Sequence, residues 1–179
     1  ALAANATAAM AFATTTIASA SAMLTWVFFD RLNGRKVSAL GACIGAVVGL
    51  VVITPSAGFV TIPQSMFFGF IGAIVSNKMV YWKKLKQIDD TLDVFACHGV
   101  GGIMGMILTA IFAQGENASL LHGGFSVFGH HMIALVLVSI FTFGGSYLLF
   151  KLTNIIIPIR VSEESESMGL DLSQHGEKL

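Results

Sequence analysis

Residues 92–113 read LDVFACHGVGGIMGMILTAIFA, an apolar run interrupted by one carboxylate at Asp93 and one imidazole at His98. A helix of about 20 apolar residues is long enough to cross the hydrocarbon core of a bilayer. The run therefore predicts a membrane-spanning helix. Further apolar runs cover residues 3–29, 37–53, 62–82 and 125–158. The predicted fold class is an all-α, polytopic helical bundle with five transmembrane helices.

Composition supports a protein embedded in lipid. Hydrophobic residues make up 55% of the chain, charged residues make up 11%, and the mean hydropathy is +0.79. A soluble domain would carry about 25% charged residues. The formal net charge is zero, so no basic excess points to nucleic acid. We expect the lipid bilayer as a partner and no nucleic acid.

Basic residues mark one side of the predicted bundle. They occur in the link after the first helix, in or beside the link after the third helix, around the end of the fifth helix and in the polar tail at residues 159–179. The links after the second and fourth helices contain none. The ten basic residues are Arg31, Arg35, Lys36, Lys78, Lys83, Lys84, Lys86, Lys151, Arg160 and Lys178.

This distribution predicts an orientation. Loops rich in Lys and Arg face the cytoplasm, so we expect a multi-pass protein of the cell membrane. Its transmembrane bundle would cover residues 1–158, and its tail at residues 159–179 would be cytoplasmic. The first helix then begins on the outer face, which leads us to expect a further helix upstream in a longer protein.

His98 is the residue in this chain best placed to carry chemistry. An ionisable side chain inside a membrane span is costly and usually faces a bundle interior or a water-filled path. The alternative is a neutral histidine that hydrogen-bonds to a neighbouring helix. Cys97 precedes it, but no second ligand pair follows the spacing of a metal site. We therefore predict no metal and no cofactor.

Three carboxylates, Asp89, Asp90 and Asp93, precede the helix that carries His98. Asp90 is placed to cap this helix, and Asp93 lies three residues further on, as in a variant of the capping box. Acidic groups near a helix N-terminus also complement its dipole. We expect these residues to organise a cytoplasmic loop. They form no pair suited to general acid–base catalysis.

Three motifs resemble the Amt/Mep ammonium transporter family. They are the runs ITPSAGFV at residues 53–60 and DDTLDVFACHGVGG at residues 89–102, and the tail from Arg160 to Glu177. The resemblance covers the whole chain in order. It implies a homotrimer of eleven-helix subunits built on inverted repeats, of which this chain would supply helices seven to eleven and the tail.

The resemblance also implies a narrow pore for ammonium or ammonia in each subunit. His98 matches the second of the family's paired pore histidines, Val94 matches a pore-lining position, and Val47 and Val51 are similar to apolar pore positions. The first pore histidine and the outer recruitment site of the family have no counterpart in these residues. An ammonium sensor that uses the same pore as a binding site is the alternative function. A membrane enzyme is disfavoured, because the helices contain no nucleophile–base pair.

The tail is too polar to enter the membrane, and composition alone would allow it to be disordered. The resemblance instead implies an ordered regulatory segment that contacts its own and a neighbouring subunit, near a docking surface for PII-type signal proteins. Ser173 matches a hydroxyl position that is phosphorylated in plant relatives. We expect Gly169 to serve a backbone conformation or a close approach. The candidate regulatory residues are Arg160, Gly169, Leu170, Asp171, Ser173 and His175.

Overall fold

The described residues, 3–115 and 119–177 of a computed structural model, form helices joined by short loops and contain no β-strand. The helices are α1 (Ala6–Leu32), α2 (Ala39–Ile53), α3 (Ile62–Leu85), α4 (Gly101–Phe112), α5 (Phe125–Ile156) and α6 (Glu163–Met168). A π-helical turn, Phe95–Val100, runs directly into α4. The five predicted spans are therefore helical, with ends that differ from the predictions by a few residues.

Local sequence explains where several helices begin. Asn5 caps α1 by accepting the N–H of Ala8, and Ser38 caps α2 by accepting the N–H of Gly41. Thr61 and Gln64 form a reciprocal capping box at the start of α3. These side chains satisfy N–H groups that the first turn of a helix leaves without partners.

Four stretches of the described chain are long and apolar enough to cross a membrane: Ala6–Leu32, Ala39–Ser56, Phe95–Phe112 and Phe125–Ile156. The third predicted span is different. Helix α3 has 24 residues, which is sufficient length, but it contains polar residues that lower its hydropathy. Two of them, Ser76 and Asn77, are fully buried against other helices. The polar residues of α3 therefore face protein in part.

The core forms where α1, α2 and α3 approach one another through small residues. A β-carbon on Gly49 would lie 2.4 Å from the carbonyl oxygen of Ala18, and one on Gly69 would lie 2.3 Å from the same atom. Ordinary contacts of this kind are 3.4–4 Å. Both glycines therefore serve close helix packing, because small residues let helix backbones approach each other.

The chain divides into two compact units, Ala1–Leu135 and Val136–Leu179. The boundary falls within α5 rather than at residue 158. The predicted boundary concerns membrane embedding, which this division does not address, so it stays a prediction. No residue of α5 is buried along its 32 residues.

Candidate pore-lining site

The residues predicted to line a pore all belong to the first unit, two on the helix of His98 and two on α2. His98 is exposed, and Val94, four residues before it, is 50% exposed. On α2, Val47 is 41% exposed and Val51 is partly buried. The helix of His98 thus carries one hydrogen-bonding imidazole and an exposed aliphatic group at Val94, and α2 carries the two further valines.

Glycines bring α2 next to the helix that carries His98. A β-carbon on Gly101 would lie 3.4 Å from Cγ1 of Val51, and one on Gly105 would lie 2.4 Å from the carbonyl oxygen of Val52. On the other side of Gly101, the same β-carbon would lie 3.7 Å from Oγ of the buried Ser76. Val51 therefore lies beside Gly101, which follows His98 by three residues on the same helix.

Asp90 holds the first turn of that helix. Its Oδ1 accepts the N–H of Val94 at 2.9 Å, and its Oδ2 accepts the N–H of Phe95 at 3.0 Å. Burial alone would raise the pKa of Asp90, but Lys83 and these two N–H groups outweigh it and hold the pKa below its usual value. Asp90 therefore caps the helix, as its position predicts.

Asp93 does not complete a capping box. Its carboxylate Oδ1 instead lies 2.6 Å from Nζ of Lys83, which also lies 3.2 Å from Oδ2 of Asp90 and donates to the carbonyl oxygen of Asp90. The side chain of Lys83 is only 4% exposed. Asp93 has a φ of +54°, a left-handed conformation that Asp tolerates better than most residues. Asp89 is exposed, and its Oδ1 accepts a hydrogen bond from Oγ1 of Thr91 at 3.4 Å.

Sequence reasoning missed a second polar cluster in the first unit. The buried carboxylate of Asp30 accepts hydrogen bonds from Arg35 at 3.2 Å and from Asn77 at 3.0 Å, and Arg35 also donates to Asn77 at 2.8 Å. The guanidinium of Arg35 stacks 3.2 Å from the ring centre of Tyr81. The sequence feature that could have indicated this cluster is Asn77 inside an apolar helix, because a polar group in a membrane span needs a partner.

The tail residues belong to the second unit. Arg160 makes a bidentate pair with Glu166 at 2.9 and 3.0 Å, which lowers the pKa of Glu166 below its usual value. Oγ of Ser173 donates to the carbonyl oxygen of Ser165 at 3.2 Å, which folds the turn Asp171–His175 back onto α6.

Gly169 joins these two segments with φ +95° and ψ 136°. No atom lies within 4 Å of a β-carbon placed on it, so the backbone conformation rather than a close approach requires glycine in this chain. Leu170 and Leu172 are exposed at 50% and 38%. Among residues 3–115 and 119–177, no group of three His, Cys, Asp or Glu residues is arranged to hold a metal.

The fold is that of a polytopic helical membrane protein, and comparison with known proteins identifies its family. The family model described as the Ammonium Transporter Family matches residues 1–179. The chain belongs to this family, which is one of transport rather than catalysis.

Relatives and solved structures agree with this membership. The chain is 38% identical over 174 residues to an ammonium transporter of Bacillus subtilis, covering 94% of this chain and 43% of that protein. It is 41% identical over 187 residues to an ammonium transporter of Aquifex aeolicus, covering 99% and 43%. The crystal structure of Candida albicans Mep2 has a TM-score of 0.81 at 32% identity, covering 89% of this chain and 38% of that chain.

A structure described as a sensor Amt protein is also similar, with a TM-score of 0.82 at 28% identity, covering 95% of this chain and 42% of that chain. The chain spans less than half the length of the curated relatives that it matches.

Proposed function

We propose that this chain is the C-terminal portion of a transporter that passes ammonium, or ammonia and a proton, through an apolar pore lined by His98. The observation that carries the proposal is the exposed imidazole of His98, on a helix whose Gly101 packs against Val51 of α2. Family membership supports ammonium as the substrate.

Physical chemistry explains how such a face discriminates between ions. A bare cation that enters an apolar passage loses its hydration and pays a large desolvation cost. Ammonium can lower that cost by giving up a proton and crossing as ammonia, whereas potassium has no proton to lose. A neutral imidazole donates with one ring nitrogen and accepts with the other, so His98 can guide ammonia and participate in moving the separated proton.

The membrane arrangement and partners form part of the proposal. The cytoplasmic side carries the basic links and the tail, in a cell membrane protein that assembles as a homotrimer. The tail, with its ordered turn at Gly169 and its acidic helix α6, regulates the pore and adjoins a surface for a PII-type signal protein. The support is the basic-residue pattern and the resemblance of the tail motif.

Reconstitution of the full-length protein into liposomes tests the proposed function. An inward ammonium gradient should produce a flux that exceeds that of protein-free liposomes, while an equal potassium gradient should produce none. A sensor is the second candidate, favoured by the similarity to the sensor Amt protein. Specific ammonium binding without ammonium flux would identify the sensor and would contradict the transporter.

A further inference from the structure

Within residues 3–115 and 119–177, the side chain of His98 is exposed and no hydrogen bond to its ring is present. The part of the chain that the structure describes therefore influences the ring through the backbone of Phe95–Val100 and through the groups that hold that backbone. A functional side chain needs such support, because a small displacement of a reacting group has a large effect on rate.

Downstream of His98, close packing fixes the helix. Gly105 approaches Val52 so closely that a β-carbon would stand 2.4 Å from the carbonyl oxygen, and Gly101 lies against Val51. Gly105 meets the backbone of Val52 on α2, and Gly101 meets the side chains of Val51 and Val52. The helix therefore has little freedom to slide at this end.

Upstream of His98, the anchor is ionic. Asp90 binds the N–H groups of Val94 and Phe95, and Lys83 holds both Asp90 and Asp93 from α3. The whole residue Lys83 is 3% exposed. Lysine is almost never buried without partners, and the two carboxylates are the partners of Lys83. A single buried ammonium thus connects α3 to the turn that starts the histidine helix.

Between the two anchors lies the π-helical turn Phe95–Val100. A π turn holds an extra residue per turn relative to an α-helix, and such turns occur frequently at functional sites. If the upstream anchor were released, this turn could relax toward regular α-helix and rotate His98. The position of the imidazole therefore depends on a constraint that Lys83 supplies.

We propose that Lys83 is a positioning residue for the pore histidine, acting through the two carboxylates of Asp90 and Asp93 that it holds at the start of the helix. This inference rests on the proposed pore role of His98. Lys83 itself does not contact the transported species. It acts by fixing the position and rotation of the π-helical turn that carries His98.

Substitution of Lys83 in the full-length protein tests the inference. Lys83→Met keeps the length of the side chain and removes the charge, and Lys83→Arg keeps the charge. Lys84→Met is the matched control, because Lys84 is the neighbouring lysine and is exposed. Each variant is measured in liposomes for ammonium flux per inserted protein and for the ratio of ammonium to potassium flux.

We expect Lys83→Met to lower the flux at least about tenfold and to change the flux ratio. Lys83→Arg should restore most of the flux, and Lys84→Met should behave as wild type. A purely structural lysine would change the amount of inserted protein and leave the ratio of the surviving protein unaltered. Wild-type flux and ratio in Lys83→Met would overturn the inference.

A second variant keeps the test decisive if Lys83→Met does not insert. Lys83→Met combined with Asp93→Asn removes both partners of the shortest ion pair, which avoids one uncompensated buried charge. The flux and the flux ratio of this double variant are judged by the same criteria. If neither variant inserts, Lys83 is a residue required for folding, and the positioning role is contradicted.

His98→Ala is measured in parallel. An effect of His98→Ala without an effect of Lys83→Met rejects only the positioning role, whereas no effect of His98→Ala rejects the pore assignment.

Discussion

Gly105 lies so close to Val52 that a β-carbon on the glycine would stand 2.4 Å from the valine carbonyl oxygen. The obstacle is backbone, which cannot move aside as a flexible side chain can. This contact joins the helix of the candidate pore histidine to α2. The close packing of α2, which carries Val47 and Val51, against the helix of His98 therefore depends on a residue with no side chain.

Gly105→Ala should destabilise the full-length protein, because the added methyl group overpacks a helix interface. Overpacking costs about 1–3 kcal/mol, and a backbone obstacle places this variant toward the upper end. The measurement is the midpoint of thermal unfolding in detergent. Gly102→Ala is the control for stability, since no atom lies within 4 Å of its β-carbon. Equal unfolding midpoints for the two variants would show that the close contact between Gly105 and Val52 does not restrict the size of the residue at position 105.

The lowered pKa of Asp90 leads us to expect that the stability of the protein depends on pH. Because its pKa is lower in the folded chain, its contribution is fully present above the usual pKa of an Asp, about 3.9, and is lost as the pH falls through the lower folded value. Asp90→Asn should therefore melt below wild type at pH 7 and at pH 5, and the gap should close below about pH 4.

Asp89→Asn is the matched control for this experiment. Asp89 is exposed, and its carboxylate holds no helix N–H group among the described contacts. Its melting profile should follow that of wild type throughout the pH range. A gap for Asp90→Asn that stays constant down to pH 3 would indicate that the carboxylate charge does not stabilise the loop.

Substitution of Gly169 tests whether the conformation of the tail matters for transport. Its φ of +95° and ψ of 136° lie in a region that side chains rarely adopt, so Gly169→Asp adds strain of about 1–3 kcal/mol. We expect the contact between Ser173 and Ser165 to open and ammonium uptake to fall without loss of membrane insertion. Gly176→Asn is the control, because φ +70° and ψ 16° suit asparagine.

Cells that co-express wild type and Gly169→Asp test whether the tail acts between subunits. If the tail contacts its neighbour, the variant should impair wild-type subunits in mixed assemblies. Uptake would then fall more steeply than the fraction of wild-type protein. Uptake that simply scales with the number of wild-type subunits would reject coupling and leave the transport function intact.

Cysteine labelling tests the predicted orientation. In a background with Cys43→Ser and Cys97→Ala, an impermeant reagent added to intact cells should not label Lys84→Cys. The same reagent should label Gln114→Cys, which follows α4 and is exposed on the opposite side of the predicted topology. The reverse pattern would place the basic links outside the cell.

The sequence predicts the helices well because the length of an apolar run is a local property. Helix α3 shows the limit of this approach. Its Asn77 lowers the hydropathy of the span, yet it is fully buried and satisfied by Asp30 and Arg35, which lie 47 and 42 residues earlier in the chain. Composition within a window cannot reveal partners at that distance.

Lys83 and the π turn illustrate a second limit. In the sequence, Lys83 resembles its neighbour Lys84, and both count as basic residues of one link. Only the loop that returns Asp90 and Asp93 to α3 makes Lys83 a buried partner of two carboxylates. The π turn at Phe95–Val100 likewise was not predicted from residue type.

The central claim, that His98 lines the transport path, is tested most directly by His98→Ala in the full-length protein reconstituted into liposomes. The measurement is ammonium flux and potassium flux per inserted protein, with His130→Ala as a control on the exposed helix α5. We predict that His98→Ala lowers ammonium flux at least about tenfold or admits potassium, while His130→Ala does neither. Unchanged ammonium flux together with unchanged exclusion of potassium in His98→Ala would contradict the account.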